Sequence, residues 1–307
     1  MDVNIELIKR MRKDLGLTQS EIAEKLFMHE RQFQKIEKGQ QKTNIWQFKS
    51  MMEMLGVSTS DFWLLYLDTQ QYEGYRLYKK VQKFFDEDRI EESVELLELL
   101  EQHPIADIPV VKQSILHMRI TVDFHFNLKD SNEFDYELVI TRLKEALGRK
   151  INLCEIDNYV LTDTDIKILN HIAVIYSENK SYKIAVRILK DILKSKSKFR
   201  TSSENNDKLL IAIKTNLSSI LLENGRHQEA RNYAEEALAM AIENADAWMI
   251  PNLLIIKALC YKYLKNKENE INLLLTRAYH TANAIGRKLY AKRIAEIAVK
   301  EFNFIIL

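Results

Sequence analysis

Apolar and polar positions near the N-terminus follow a helical period. Ile5, Ile8, Met11 and Leu15 recur at three- to four-residue spacing, which puts them on one helix face. Gly16 follows as a residue able to take the left-handed conformation that ends a helix. Thr18-Gln19-Ser20-Glu21 then reads as a capping box, with Leu17 and Ile22 at the hydrophobic-staple positions, and the helix continues through Ala23 and Leu26. A tight turn, Leu26-Phe27-Met28, leads to His29 at the next N-cap, with Gln32 at N3 and Met28 and Phe33 as a second staple. That third helix turns Phe33 and Ile36 inward and stops at Gly39. A fourth helix is predicted over about 44–55, ending at Gly56. Ser58-Thr59-Ser60-Asp61 caps a fifth, with Val57 and Phe62 as its staple. Five short helices, the second and third joined by a tight turn, predict a helix-turn-helix domain over 1–66.

After a polar link at 67–74, the period stays helical over 75–307. Asn170 to Tyr176 leads to Tyr182, Ala185, Leu189 and Ile192; a second unit carries Leu217, Ser218, Leu221, Gly225, Ala230, Ala234 and Ala237. In both, a large first-helix residue (Tyr176, Leu221) precedes a small second-helix residue (Ala185, Ala230) by the same interval. This resembles the tetratricopeptide repeat, whose small residues let paired helices approach closely. Weaker copies run through Val81, Phe84, Ser93, Leu97 and Leu100, and through Ala258, Tyr261, Ile271 and Leu274. The regions 110–126 and 134–147 form a further pair without signature residues. The strong units are spaced more widely than the usual repeat of about 34 residues. The excess falls in a polar insertion at 195–207, expected as a mobile loop. A final helix at about 287–301 closes the array. The apolar tail at 302–307 should pack on its own solenoid or on a partner subunit. The fold class is therefore all-α: a five-helix helix-turn-helix domain followed by a tetratricopeptide-like α-solenoid.

Composition agrees. Seven glycines and three prolines in 307 residues leave little material for strand corners. The formal charge of +1 does not itself argue for nucleic acid, so any DNA contact must come from a local patch. Cys154 and Cys260 have no metal or disulfide spacing and read as buried thiols in a reducing compartment. With no leader-like segment and no apolar run long enough to span a bilayer, a cytoplasmic protein is expected.

The stretch from Leu17-Thr18-Gln19-Ser20-Glu21-Ile22-Ala23 through Ile36-Glu37-Lys38-Gly39 to Leu55-Gly56-Val57-Ser58 closely resembles the DNA-binding domain of phage-repressor-type (XRE/Cro) regulators. The resemblance implies that the third helix enters the major groove of double-stranded DNA. Its outward residues are Glu30, Arg31, Gln32, Gln34 and Lys35. Arg31 can pair with guanine, Gln32 or Gln34 with adenine, and Glu30 with cytosine. Gln19 and the second helix's N-terminus are placed for phosphate, and Lys35, Lys38 and Lys42 are the backbone cations. Arg12 and Glu37 match positions that form a structural ion pair in that family. His29 departs from the small hydroxyl residue usual at the cap, and either weakens the cap or touches phosphate itself.

The whole arrangement resembles the Rgg/PlcR-type peptide-pheromone regulators. That resemblance implies a palindromic operator, a homodimer, quorum sensing, and a short signalling peptide bound in the groove of the repeat domain. Family receptors grip peptide backbone with asparagines. Asn170 and Asn216 sit near equivalent places on the first helices of the two strong units, and Asn252 is a third candidate. Tyr176 is expected as an apolar wall, Lys214 and Lys257 as carboxylate partners.

Enzyme chemistry finds little support. All glycines are isolated, so no phosphate-cradling loop is encoded. No His-Glu-x-x-His, Cys-x-x-Cys or Gly-x-Ser-x-Gly motif occurs, and His117 and His125 lack metal spacing. No cofactor or metal is expected. Two alternatives remain: an XRE-family repressor or antitoxin-like regulator whose repeats bind a protein partner, and a scaffold that has lost DNA binding. Arg31, Lys35 and Lys38 argue against the second.

Overall fold

The computed structural model describes residues 5–41, 45–56, 69–87, 89–130, 135–195, 199–200, 203–265 and 268–306. The predicted fifth-helix cap at 58–61 and Lys42 lie outside them. The chain divides into two compact units, Met1–Lys112 and Gln113–Leu307.

The first unit holds α1 (Ile5–Asp14), α2 (Gln19–Lys25), α3 (Glu30–Glu37), α4 (Ile45–Met54), α5 (Thr69–Asp86) and α6 (Ile90–Glu101). α3 packs on α1 and α2, and α2 also on α4. Ile8, Ile22, Leu26, Phe33, Met51 and Leu55 form the centre of this core, with Leu17 and Met28 packed against it. Both predicted staples therefore contribute to one apolar cluster. Residues 69–74, read from sequence as part of a link, are the first turns of α5. Gly74 is required there: a Cβ would lie 2.5 Å from Cε1 of His103, on the turn after α6. Arg10 of α1 donates to Glu73 of α5 at 2.8 Å.

The second unit is built from helix pairs. α7 (Pro109–Asp130) and α8 (Tyr136–Ala146) precede α9 (Asp163–Glu178) and α10 (Tyr182–Lys194). Then come α11 (Ser203–Glu223), α12 (His227–Glu243), α13 (Ile250–Tyr263), α14 (Glu268–Ala284) and the closing α15 (Lys288–Phe302). The predicted small residues sit where paired helices meet: Ala185, Ala230, Ala234 and Ala237 are all fully buried. Side chains this short permit the close axial approach of packed helices. α11 touches both α9 and α13, so the first helices of three successive pairs form one layer.

Three expectations need correction or refinement. The insertion at 195–207 is not a featureless loop in its described part. Phe199–Arg200 forms a short strand, β2, parallel to β1 (Leu161–Thr162), and α11 already begins at Ser203. Cys154 is exposed rather than buried, while Cys260 is buried as expected. The C-terminal tail folds back on its own unit. Asn303 takes the left-handed conformation that ends α15, and Phe304 and Ile306 then pack beside Phe302 on the last apolar cluster.

One polar knot fixes the start of α9. Asp165 accepts from Arg149 Nη2 at 2.7 Å, from Gln113 Nε2 at 3.1 Å and from the Thr162 N–H at 3.0 Å. A carboxylate only 3% exposed is tolerable because a guanidinium and two further donors satisfy it.

Candidate nucleic-acid interface and the repeat-domain layer

α2 and α3 are held by local chemistry. Thr18 and Glu21 form the reciprocal capping box: the Glu21 N–H donates to Thr18 Oγ1 at 3.1 Å, and the Thr18 N–H donates to Glu21 Oε2 at 2.7 Å. The Thr18 N–H and the Thr18 hydroxyl, both donating to Glu21 Oε2, draw the Glu21 carboxyl below the usual range. α3 repeats the device with an unusual cap. The Arg31 N–H donates to His29 Nδ1 at 3.2 Å, and the His29 N–H to Gln32 Oε1 at 3.1 Å. An unprotonated ring nitrogen thus replaces the usual hydroxyl or carboxylate acceptor.

Behind α3 lies a buried ion pair. Arg12 Nε donates to Glu37 Oε1 at 2.6 Å, Nη2 to Oε2 at 3.3 Å, and Nη1 to the Leu17 carbonyl at 2.7 Å. Gln19 Nε2 joins it, donating to Glu37 Oε2 at 2.6 Å. The residue expected to face phosphate is thus anchored to α3 through one amide hydrogen, and the other remains for a ligand.

The outward side of α3 is differently occupied. Glu30 and Gln34 bond to each other, Gln34 Nε2 to Glu30 Oε1 at 3.1 Å. Arg31, Lys35 and Lys38 are exposed, and among the described residues their cationic groups form no ion pair. Three free cations thus stand along a helix rigidly seated at its back and capped at its front. Sequence reasoning missed one feature here. Phe27, in the turn between α2 and α3, is 98% exposed and has φ 54°.

In the repeat layer, Asn170 of α9 and Asn216 of α11 meet: Asn216 Nδ2 donates to Asn170 Oδ1 at 3.1 Å. Each amide therefore keeps groups for another partner. Asn252 lies on α13, and its enclosed Oδ1 accepts no hydrogen bond among the described residues. Tyr176 is partly buried, and burial raises its phenol.

The two lysines are already paired. Lys214 Nζ lies 2.6 Å from Glu236, and Lys257 Nζ 3.0 Å from Glu235. Glu235 also accepts from Arg231 at 3.1 Å, and Tyr261 Oη is 3.4 Å away. Burial would raise the Glu235 carboxyl, but its bonds to Lys257 and Arg231 outweigh that and hold it low. The i,i+4 spacings Arg231–Glu235 and Lys257–Tyr261 were visible in the sequence as a signal for this cluster, but the pairing between α12 and α13 was not. Among the described residues, no group of three or more His, Cys, Asp or Glu side chains could hold a metal ion, and no helix is long and apolar enough to cross a membrane.

Comparison with known proteins extends this geometry. The sequence profile of the RNPP family C-terminal domain matches residues 111–301, and a helix-turn-helix profile matches 8–62. No curated protein matches the sequence significantly. Among solved structures, the chain is similar to Bacillus thuringiensis PlcR in complex with the peptide PapR7 and DNA, at 18% identity and TM-score 0.67, over 96% of this chain and 99% of that one. It is similar to S. thermophilus ComR in complex with DNA and its signalling peptide ComS, at 16% identity and TM-score 0.55, over 94% and 95% of the two chains. A third likeness is to the Streptococcus dysgalactiae SHP pheromone receptor Rgg2, at 15% identity and TM-score 0.51, over 98% and 100%. At such identities these likenesses speak to the fold.

Proposed function

The chain belongs to the RNPP family of transcriptional regulators, and on that premise we propose how it works. α3 enters the major groove of operator DNA, and the layer of α9, α11 and α13 receives a short signalling peptide that alters DNA binding or activation. The observation that carries the DNA half is the division of α3 into two sides. Its inward side is locked by Phe33, Ile36 and the Arg12–Glu37 pair. Its outward side presents Arg31, Lys35 and Lys38 without a partner among the described residues. Arg31 reads a base edge, Lys35 and Lys38 neutralise phosphates, and Gln19 steadies α2 against the backbone. Gln32, His29, Glu30 and Gln34 stand at the same leading end, with Lys42 a further phosphate candidate. A homodimer reads two half-sites about one helical turn, or a multiple, apart.

In the repeat layer, Asn170, Asn216 and Asn252 supply amides for the backbone of an extended peptide, with Tyr176 beside them. Lys214 and Lys257 exchange Glu236 and Glu235 for a peptide carboxylate. No step of this reading is catalytic, and it places the protein in the cytoplasm.

The test begins with selection of binding sites from a random duplex pool by the full chain. Arg31→Ala should relax preference at one base position, by about 1–3 kcal/mol. Weakening of equal size on every sequence would make Arg31 a phosphate contact instead. Titrating the selected DNA with culture supernatant, before and after protease, then tests for the peptide. A shift that protease removes supports it; binding without any shift moves the repeat layer to a protein partner.

A further inference from the structure

Four turns in the first unit show how its helices end. α1, α3 and α4 are each followed by a glycine at positive φ: Gly16, Gly39 and Gly56. α2 ends with the same geometry, the Phe27 N–H donating to the Glu24 carbonyl and the Met28 N–H to the Ala23 carbonyl, both at 3.0 Å. Its left-handed residue, however, is Phe27. Among the described residues, Phe27 is the one aromatic at positive φ, and it is the most exposed of the large apolar side chains. Both properties disfavour the folded chain: a Cβ is strained in this conformation, and the ring gains no burial. Glycine would cure both, as it does in the three sister turns. The ring's use therefore lies outside the isolated chain.

Its position indicates where. Phe27 precedes the α3 N-cap by two residues, at the leading end of the helix, in the turn that runs into the exposed Glu30 and Arg31. Base edges in the major groove offer one apolar group, the thymine methyl, for which an aromatic ring is a suitable partner. We propose that Phe27 is an apolar specificity residue that seats its ring on a thymine methyl at the edge of each half-site. This rests on the reading of α3 as the DNA-entering helix.

The experiment uses the full chain and a duplex selected from a random pool by the wild-type protein. Each thymine of that duplex is replaced in turn by deoxyuridine, which removes only the methyl. For the wild type, one position per half-site should lose about fourfold in affinity, the size of burying one methyl group. Phe27→Gly should lose a similar factor on the unmodified duplex, be blind to uracil at that position, and leave the salt dependence unchanged, because no phosphate contact is removed. The same variant should melt a few degrees higher than wild type. Phe27→Ala should lose the same DNA contact while keeping the strained backbone, and so should not gain that stability. A Phe27→Gly protein with wild-type affinity and undiminished sensitivity to uracil overturns the proposal; should it also fail in transcription, the ring belongs to a protein contact. A melting temperature at or below wild type shows that the ring packs in the folded chain and likewise overturns it. If the wild-type chain selects no sequence at all, the reading of α3 itself fails first, which keeps the two failures apart.

Discussion

At the scale of single residues, the Arg12–Glu37 pair has the largest stake. Both side chains are nearly inaccessible, and Glu37 accepts from Arg12 and Gln19 together. Glu37→Ala would leave a buried guanidinium with, among the described residues, the Leu17 carbonyl alone. We expect it to cost about 3 kcal/mol in urea unfolding, the usual size for breaking one side of a buried pair. Replacing both residues by apolar ones of similar volume should cost far less, because no charge is then stranded. If the double replacement is as harmful as the single, the pair acts by geometry rather than by mutual neutralisation. The cysteines give a second residue-scale test. Cys154 is exposed, whereas Cys260 is buried and its thiol is pushed up to about 11 by that burial. A thiol reagent at pH 8 should label Cys154 rapidly and Cys260 only after unfolding. Rapid labelling of two thiols in the folded protein would contradict the placement of Cys260 in the core of α13. Sequence alone gave both cysteines one description, because spacing excludes a metal site but says nothing about which loop is wet.

At the scale of elements, what the residues disclosed was the local part. Caps, staples and left-handed C′ glycines act within about five residues, so α1 to α4 could be bounded from sequence. Contacts between distant segments were not legible. The β1–β2 pairing joins residues on either side of α9 and α10, and nothing in Phe199–Arg200 announces it. The carboxylates on Lys214 and Lys257 come from α12 in the same way. The packing of α7 on α9 carries a third example, with a measurable consequence. His117 and His171 meet edge to face with ring centroids 5.4 Å apart, and Thr121 Oγ1 lies 3.4 Å from His171 Nδ1. Burial drives the His171 imidazole down from 6.5 to about 4 and pushes His117 well below its usual value, His171 and Lys167 adding to the latter. In the unfolded chain both take up protons near pH 6.5, while in the folded chain His171 resists until about pH 4 and burial likewise opposes protonation of His117. Their contribution to stability is thus complete at neutral pH and is lost as pH falls from about 6.5 toward 4, by at most roughly 3 kcal/mol for His171. Denaturation midpoints of the wild type should fall over that interval. Those of a His117→Gln/His171→Gln variant should fall distinctly less, since the carboxylates common to both proteins titrate alike. Parallel curves would mean that the two imidazoles are hydrated in the folded state.

At the scale of the molecule, the proposed regulation requires that peptide distinguish between two arrangements of the chain, since a ligand of equal affinity for both shifts nothing. The Asn170–Asn216 bond suits such a role in the proposed mechanism. It ties α9 to α11 in the structure described, yet both amides retain groups for a peptide backbone. Ligand binding to the folded chain alone should raise its stability by about 2.7 kcal/mol at a hundred times the dissociation constant, which a melting curve resolves easily. On the proposed reading, that shift is the assay by which a peptide is purified from supernatant. Replacing one asparagine would strand its partner in a partly buried layer and confuse folding with binding. Replacing both with alanine removes donor and acceptor together and should be nearly neutral for the fold. The double variant is therefore expected to melt close to the wild type, to bind the selected DNA with unchanged affinity in the absence of peptide, and to show neither a stability gain nor a shift in DNA binding when peptide is added. A double variant that still responds would take this amide pair out of the peptide site. A variant that loses DNA binding along with the response would show that the bond maintains the DNA-competent arrangement itself rather than reading the ligand.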